Sequence, residues 1–279
     1  MKGKWILTVS LLAASSLTSV SADSIAFRRK VLSTPGLIGY WPFEDSLIDL
    51  SPNANDGHVK GDPAAITFGP GINGGRALHI TNPITNPATG SNYVEVPAPI
   101  SSVFDAPKFS VVTFAQLDKI ADPATGDWND VMERNSLWYL SFEPVDNLAG
   151  SLGSRFVVRI YDPANPTSGG TPQIKDDAYF TRTGVWHAYA FTYDGAKVVM
   201  YMEGKQVLEQ DYDGGVGPTA DTPKDPSAIP HGNYNLDFGV WQQHGDWFSG
   251  SIDDSAYFNR ALTGDEIKGL YDAMMAKAP

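Results

Sequence analysis

The stretch Trp186-His-Ala-Tyr-Ala-Phe-Thr-Tyr193 constrains the fold more than any other. His187, Tyr189, Phe191 and Tyr193 fall on one side and Ala188, Ala190 and Thr192 on the other, the period of two that marks an extended strand. Asp194-Gly195 follows, a strong short-range hairpin signal, and Glu203-Gly204 makes a second tight turn after residues 197–202. Residues 185–210 are therefore expected as a three-strand meander. Short runs of the same kind recur at 39–43, 77–80, 93–96, 109–117, 137–142, 155–161 and 247–258, separated by turns rich in the chain's 27 Gly and 20 Pro. One segment reads clearly as a helix. Thr263 caps it with Glu266 at the capping-box position, and Ile267, Leu270, Tyr271 and Met274 follow at helical spacing. Long loops are expected at 81–92, 119–130, 162–177 and 214–233. The expected fold is all-β, a two-sheet antiparallel sandwich or jelly roll with a short C-terminal helix.

Charge and cysteine count remove several functions. With 20 Lys+Arg against 32 Asp+Glu, the net charge of -12 argues against binding nucleic acid through phosphate contacts and against an anionic membrane surface. The absence of Cys removes disulfides, thiolate metal sites and cysteine nucleophiles. Residues 1–22, MKGKWILTVSLLAASSLTSVSA, carry Lys2 and Lys4, a short apolar run and Val20-Ser21-Ala22 before Asp23, the pattern of a secretory signal peptide. Residues 23–35 are then a lead segment and 36–279 a single domain, secreted to an extracellular or periplasmic site with no membrane insertion after cleavage.

Three stretches carry a family resemblance. They are Gly36-Leu-Ile-Gly-Tyr-Trp-Pro-Phe-Glu-Asp45, Gly184-Val-Trp-His-Ala-Tyr-Ala-Phe-Thr-Tyr-Asp-Gly195, and Phe248-Ser-Gly-Ser-Ile-Asp-Asp-Ser-Ala-Tyr-Phe-Asn-Arg-Ala-Leu262 with Thr263-Gly-Asp-Glu-Ile267. Together they resemble the laminin G-like, concanavalin A-like jelly-roll family of bacterial secreted proteins. Phe114 stands where that family usually has Trp. The first and last motifs are expected to pair as antiparallel strands that bring the chain ends together.

The resemblance implies a structural Ca²⁺ near the chain ends. Asp254 resembles the aspartate of the last strand that holds it, with Asp253 beside it and Glu44 or Asn55 opposite. An oxygen-only donor set suits that ion. The bland alternative is that the acids between 44 and 56 make Asx turns and the Asp pair is solvated.

Glycan binding is the expected activity, through aromatic platforms and polar side chains. Two polar-aromatic clusters carry the expectation. One holds Trp128, Asp130 and Arg134; the other holds Tyr234, Trp241, Gln243 and His244. Trp138 and Trp186 lie in alternating strands and are assigned to the core. Two other readings stand beside this one. One is a glycoside hydrolase or polysaccharide lyase on the same fold, for which Glu133 and Glu143 are the nearest acids on expected strands. The other is a module that binds a protein partner.

Overall fold

The computed structural model describes residues 22–82, 92–99, 102–121, 128–134, 137–146, 152–160, 173–212, 234–241 and 246–276, without the side chains of 22–24, 146, 152, 173–180 and 241. Two antiparallel sheets face each other. Sheet I runs β13 (Lys205–Asp211), β12 (Lys197–Met202), β11 (His187–Tyr193), β6 (Phe109–Leu117), β17 (Gly250–Phe258), β4 (Arg76–Ile80), β3 (Ile66–Pro70), with β1 (Leu37–Trp41) also on β17. Sheet II runs β10 (Gln173–Thr181), β9 (Leu152–Ile160), β8 (Trp138–Asp146), β7 (Asn129–Arg134), β14 (Leu236–Phe238), β5 (Tyr93–Val96), β2 (His58–Lys60). A ribbon of β15 (Val240–Trp241) and β16 (Asp246–Trp247) completes the strands.

The meander expected at 185–210 is β11–β12–β13, with Tyr189 opposite Met202 and Met200 opposite Leu208. The expected closure is present too: Leu37 pairs with Phe258 and Trp41 with Ser255. Strand β17 changes partner along its length, pairing with β4 through residues 250–252 and with β1 through 255–258. At the changeover the register against β6 slips between Asp253 and Ala256, and Asp254 takes a positive φ of 45°. This bulge re-aims the two aspartates.

Between the sheets lies one large aromatic core. Phe109 stacks on Tyr257 at 5.6 Å and on Trp138 at 5.8 Å, and Trp41 meets Phe238 edge-on at 5.3 Å. A second core covers the opposite side of sheet I. There Tyr40, Val112, Phe114, Ala190, Tyr201 and Phe258 pack under α2 (Gly264–Met275) through Ile267, Leu270 and Met274. Phe114 thus fills an aromatic position beneath the helices rather than between the sheets.

A second helix joins this layer. Helix α1 (Ala22–Ser33) buries Phe27 and Val31 completely beside α2, each worth about 1.5–3 kcal/mol over exposure. Two buried residues four apart are too thin a stripe for the sequence to announce it. Two expected loops are also shorter than read, since β7 begins at Asn129 and β10 at Gln173.

Candidate functional site

The outer face of sheet II carries the chemistry. Register places His58 opposite Glu95, Glu95 opposite Asp237, Asp237 opposite Glu133, Glu133 opposite Tyr139 and Tyr139 opposite Arg159. Directly paired residues share a face, with Cβ atoms about 4.5–5.5 Å apart. Their chain neighbours Val94, Val96, Leu236, Phe238, Met132, Trp138 and Leu140 turn the other way, into the core. One row of polar side chains therefore crosses six of the seven strands, and its centre is three adjacent carboxyls, Glu95, Asp237 and Glu133.

These acids are buried, at 9%, 0% and 1% exposure. Like charges set directly opposite destabilise a sheet, and buried acids need compensation. Lys60 supplies part of it through a 2.8 Å ion pair to Glu95. Tyr93, half-buried two residues before Glu95, reports the field of the row. Burial raises its phenol pKa well above the ordinary range, and the charges of Asp237, Glu95 and Glu133 raise it further. Across the sheet, Arg155 pairs with Glu143 at 2.5 Å.

Trp128 and Asp130 extend this face. Trp128 is half-buried and meets Tyr139 edge-on, with centroids 5.9 Å apart and planes at 86°. Its backbone N–H donates to Asp246 Oδ1 at 2.9 Å. Asp130 is fully buried opposite Ser141, and its carboxyl pKa is pushed well up, first by burial and then by the charge of Asp246. Next to it, Asn129 accepts from Ala121 N at 3.0 Å and donates to the Trp247 carbonyl at 3.2 Å. That clamp holds the edge of β7 against the β15–β16 ribbon.

The remaining glycan candidates separate. Arg134 follows Glu133 in the strand and so points to the other side, where it is buried, pairs with Asp105, and donates to the carbonyls of Tyr234 at 3.3 Å and Ala98 at 3.4 Å. Tyr234 is buried in the main core beside it. Trp241 contributes backbone to β15, while its side chain, Gln243 and His244 lie outside the described residues. Trp138 belongs to the main core, as expected, whereas Trp186 is only half-buried, packing against the helix-side core and lining an open groove on sheet I. Glu95 and Asp237 carried no local sequence signal, because their partnership exists only across strands.

The acids expected to hold a cation also separate in part. Asn55 belongs to a knot around Asp49, whose carboxylate accepts the N–H groups of Tyr40, Ser51 and Asn55, each at 2.8 Å. Asn55 also donates to the Ile38 carbonyl and accepts from Trp41 Nε1. This is the Asx-turn arrangement. Glu44, Asp253 and Asp254 gather instead at the bulge of β17. Glu44 Oε2 accepts from Arg76 N at 3.1 Å, Asp253 Oδ2 from Ile72 N at 3.0 Å, and Asp254 Oδ1 from the Tyr40 hydroxyl. Glycines permit this cradle. A Cβ on Gly71 would lie 2.4 Å from Asp253 Oδ2, and one on Gly75 would lie 2.8 Å from Glu44 Oε1.

Burial raises all three pKa values, that of Asp254 to about 7, while Arg28 of α1 opposes the shift at Glu44 and Asp254. Asp253 Oδ1 is buried with no hydrogen-bond partner. That orphan oxygen, and three carboxyls against the guanidinium of Arg28 and that of Arg76, which is itself paired with Asp45, suit a hard cation. Among the described residues, however, no three acids or histidines already converge on one metal position.

A family model described as the concanavalin A-like lectin/glucanases superfamily matches residues 89–268. No curated protein matches the chain. Domain 4 of AbnA, a GH43 extracellular arabinanase from Geobacillus stearothermophilus in complex with arabinotriose, is similar in structure. Its TM-score is 0.57 at 16% identity, covering 84% of this chain and 98% of that one. The binding domain of Paraclostridial Mosquitocidal Protein 1 gives 0.60 at 14%, covering 85% and 52%. The structure of botulinum neurotoxin type C, whose cell entry depends on two ganglioside molecules, gives 0.57 at 14%, covering 86% and 51%. The chain thus spans nearly all of the arabinanase domain and about half of each toxin chain. At such identities the likeness is one of fold. Among the described residues no helix is long and apolar enough to cross a membrane.

Proposed function

The chain belongs to the concanavalin A-like lectin/glucanases superfamily, and from that premise we propose that it is a secreted glycan-binding domain that takes its ligand on the outer face of sheet II. The observation that carries the reading is the cross-sheet row Glu95–Asp237–Glu133–Tyr139, bordered by half-buried Tyr93, Trp128 and Arg159. Carboxylates accept hydrogen bonds from sugar hydroxyls in pairs, and aromatic rings pack on the apolar face of a sugar ring. On this face the carboxyls lie beside a small apolar cluster of Tyr139 and Val157 with Trp128 packed against it, the mixture of aromatic and acidic groups that a sugar ring meets. Similar domains described with arabinotriose and with gangliosides support the ligand class.

A second reading rests on the same row. Register sets these acids side by side with Cβ atoms about 5 Å apart, and a close carboxyl pair is what retaining glycoside hydrolysis requires. One experiment separates the two: incubation with a panel of soluble polysaccharides, read by gel retardation and by new reducing ends, for the wild type and for Asp237→Asn and Glu133→Gln. Retardation without new ends, weakened in both variants, is the expected result. New ends that vanish in the variants make the protein a hydrolase. Unaltered retardation in both variants overturns the assignment of the face.

Calcium is part of the proposal. Glu44, Asp253 and Asp254 would hold it at the bulge of β17, with Asn55 left in the Asp49 knot. The ion would neutralise buried charge and fix the strand changeover; no binding step passes through it.

A further inference from the structure

Sheet I carries a second polar row, on the side covered elsewhere by the helices. Thr67 pairs with His79, His79 with Ser251, and Ser251 with Gln116. With His187 opposite Ala115, the next register step places Trp186 opposite Gln116. Five adjacent chain segments therefore present a hydroxyl, an imidazole, a hydroxyl, an amide and an indole in one line. At the spacing of strands in a sheet the line is about 19 Å long. The same five side chains line an open groove of about 440 Å³, together with Asp118 and the backbone of residues 69–71. That volume falls within the ~300–1,000 Å³ usual for small-ligand sites.

We infer that this groove is a second ligand site, for a single chain of an uncharged oligosaccharide. Three features favour that class. First, the polar groups are already fixed: His79 Nδ1 lies 3.1 Å from Ser251 Oγ, and Nε2 lies 3.5 Å from the Asp118 carboxylate. A ligand meeting a prearranged imidazole avoids the ordering cost that flexible side chains impose. Second, among the described residues no Lys or Arg lines the groove, and Asp118 is the one acid there. A sulfated or uronic-acid chain would find repulsion without a counter-charge. Third, Trp186 supplies an aromatic surface at one end while its other contacts brace it against the helix-side core. The floor is also clear, since a Cβ on Gly69 would meet nothing within 4 Å. This site is separate from the sheet II face and does not depend on the reading given to it.

That clear floor supplies the test. Gly69→Leu puts a side chain into the groove from an edge strand, at a Cβ position that meets nothing within 4 Å, and Gln116→Ala removes the central amide; Asp237→Asn reports on the opposite face. The probes are short neutral linear oligosaccharides of the arabinan, xylan, mannan and β-glucan series, followed by the NMR signals of the Trp186 indole and Gln116 amide and by calorimetry. At least one series is expected to shift both signals. Its affinity should fall roughly tenfold in each groove variant, about 1.4 kcal/mol, with the melting temperature unchanged, and should survive Asp237→Asn. If Gly69→Leu melts early, Gln116→Ala decides. The inference is overturned if no neutral series moves these signals at millimolar concentration, if groove variants bind as the wild type does, or if a uronic-acid oligomer shifts the signals equally. Loss of binding in Asp237→Asn alone would sink the groove and leave the sheet II reading standing.

Discussion

Two clusters of buried and half-buried carboxyls sit on opposite sides of the sandwich, and the backbone treats them differently. Beside the β17 bulge, peptide N–H groups of the turn that joins β3 and β4, those of Ile72 and Arg76, donate to Asp253 and Glu44. In the row Glu95–Asp237–Glu133 the ladder is regular, and the main-chain groups of β5, β14 and β7 are spent on one another. Carboxyls there are compensated through side chains, as Glu95 is by Lys60. The first cluster is therefore tied to the backbone, and the second is the one on which the proposed glycan would act.

The strongest way to break this contrast is to delete one acid from each. Asp253→Ala strips a partner from Ile72 N, empties a site beneath the Gly71 turn and should cost about 3 kcal/mol. Asp237→Asn keeps the shape and relieves like-charge repulsion, so stability should stay within about 0.5 kcal/mol while glycan retardation weakens. Urea denaturation of both variants measures the difference. Equal losses would make the row as structural as the bulge.

Calcium tests the same division from outside. An ion bound only to the native state at a hundredfold excess over its Kd stabilises by ~2.7 kcal/mol, or roughly 5–10 °C for a chain of this class. EGTA should lower the melting temperature of the wild type and of Asp237→Asn by that amount, and leave Asp253→Ala unmoved. An unchanged wild-type curve, for protein shown to be metal-free, removes the ion from the account.

What the sequence could reveal follows from these two geometries. Elements made of contiguous residues were legible: the alternating β11, its Asp-Gly turn and the capping box of α2 stand where expected, and the β1–β17 closure does too because both of its strands carry recognisable motifs. Of the acids at the bulge, Glu44, Asp253 and Asp254 could be named because a motif carries them. The row could not be read, because Glu95, Glu133 and Asp237 belong to strands far apart in the chain and meet only through register. Proximity in sequence even misleads on a strand. Glu133 and Arg134 are neighbours whose side chains leave by opposite faces, so a local cluster of polar residues was divided by the pleat. Trp186 was placed in the core by the same alternation, which holds only as far as the strand continues to be covered.

A smaller effect appears in the pH dependence of stability. The pKa of Asp130 is raised in the folded chain by burial and by Asp246. A carboxyl of that kind favours the folded state below its unfolded pKa of ~3.9, and the advantage is lost as pH rises through the folded value. Asp130→Asn should therefore flatten the decline in stability between acid and neutral pH, by about 1 kcal/mol at pH 7. Urea midpoints at pH 5 and pH 7 that decline equally in the variant would assign the slope to another group.

Glu266 provides the opposite sign and the smallest expected change. Its carboxylate receives two hydrogen bonds from Arg260, at 2.9 and 2.5 Å, and one from Thr263 N at 2.9 Å. The Arg260 bonds come first among the causes that lower its pKa to about 2. Stability from this group is present above the unfolded value of ~4.3 and is lost as pH falls toward 2, the reverse of Asp130. Both partners are about one-third exposed, at 32% and 33%, so solvent screens the pair. Glu266→Gln retains a capping-box acceptor for Thr263 N and removes only the charge. It should therefore cost about 0.5 kcal/mol at pH 7 and nothing at pH 2. A cost above ~1.5 kcal/mol at pH 7 would mean that the closing segment of the chain rests on this ion pair, and not on the three apolar residues with which α2 seals the helix-side core.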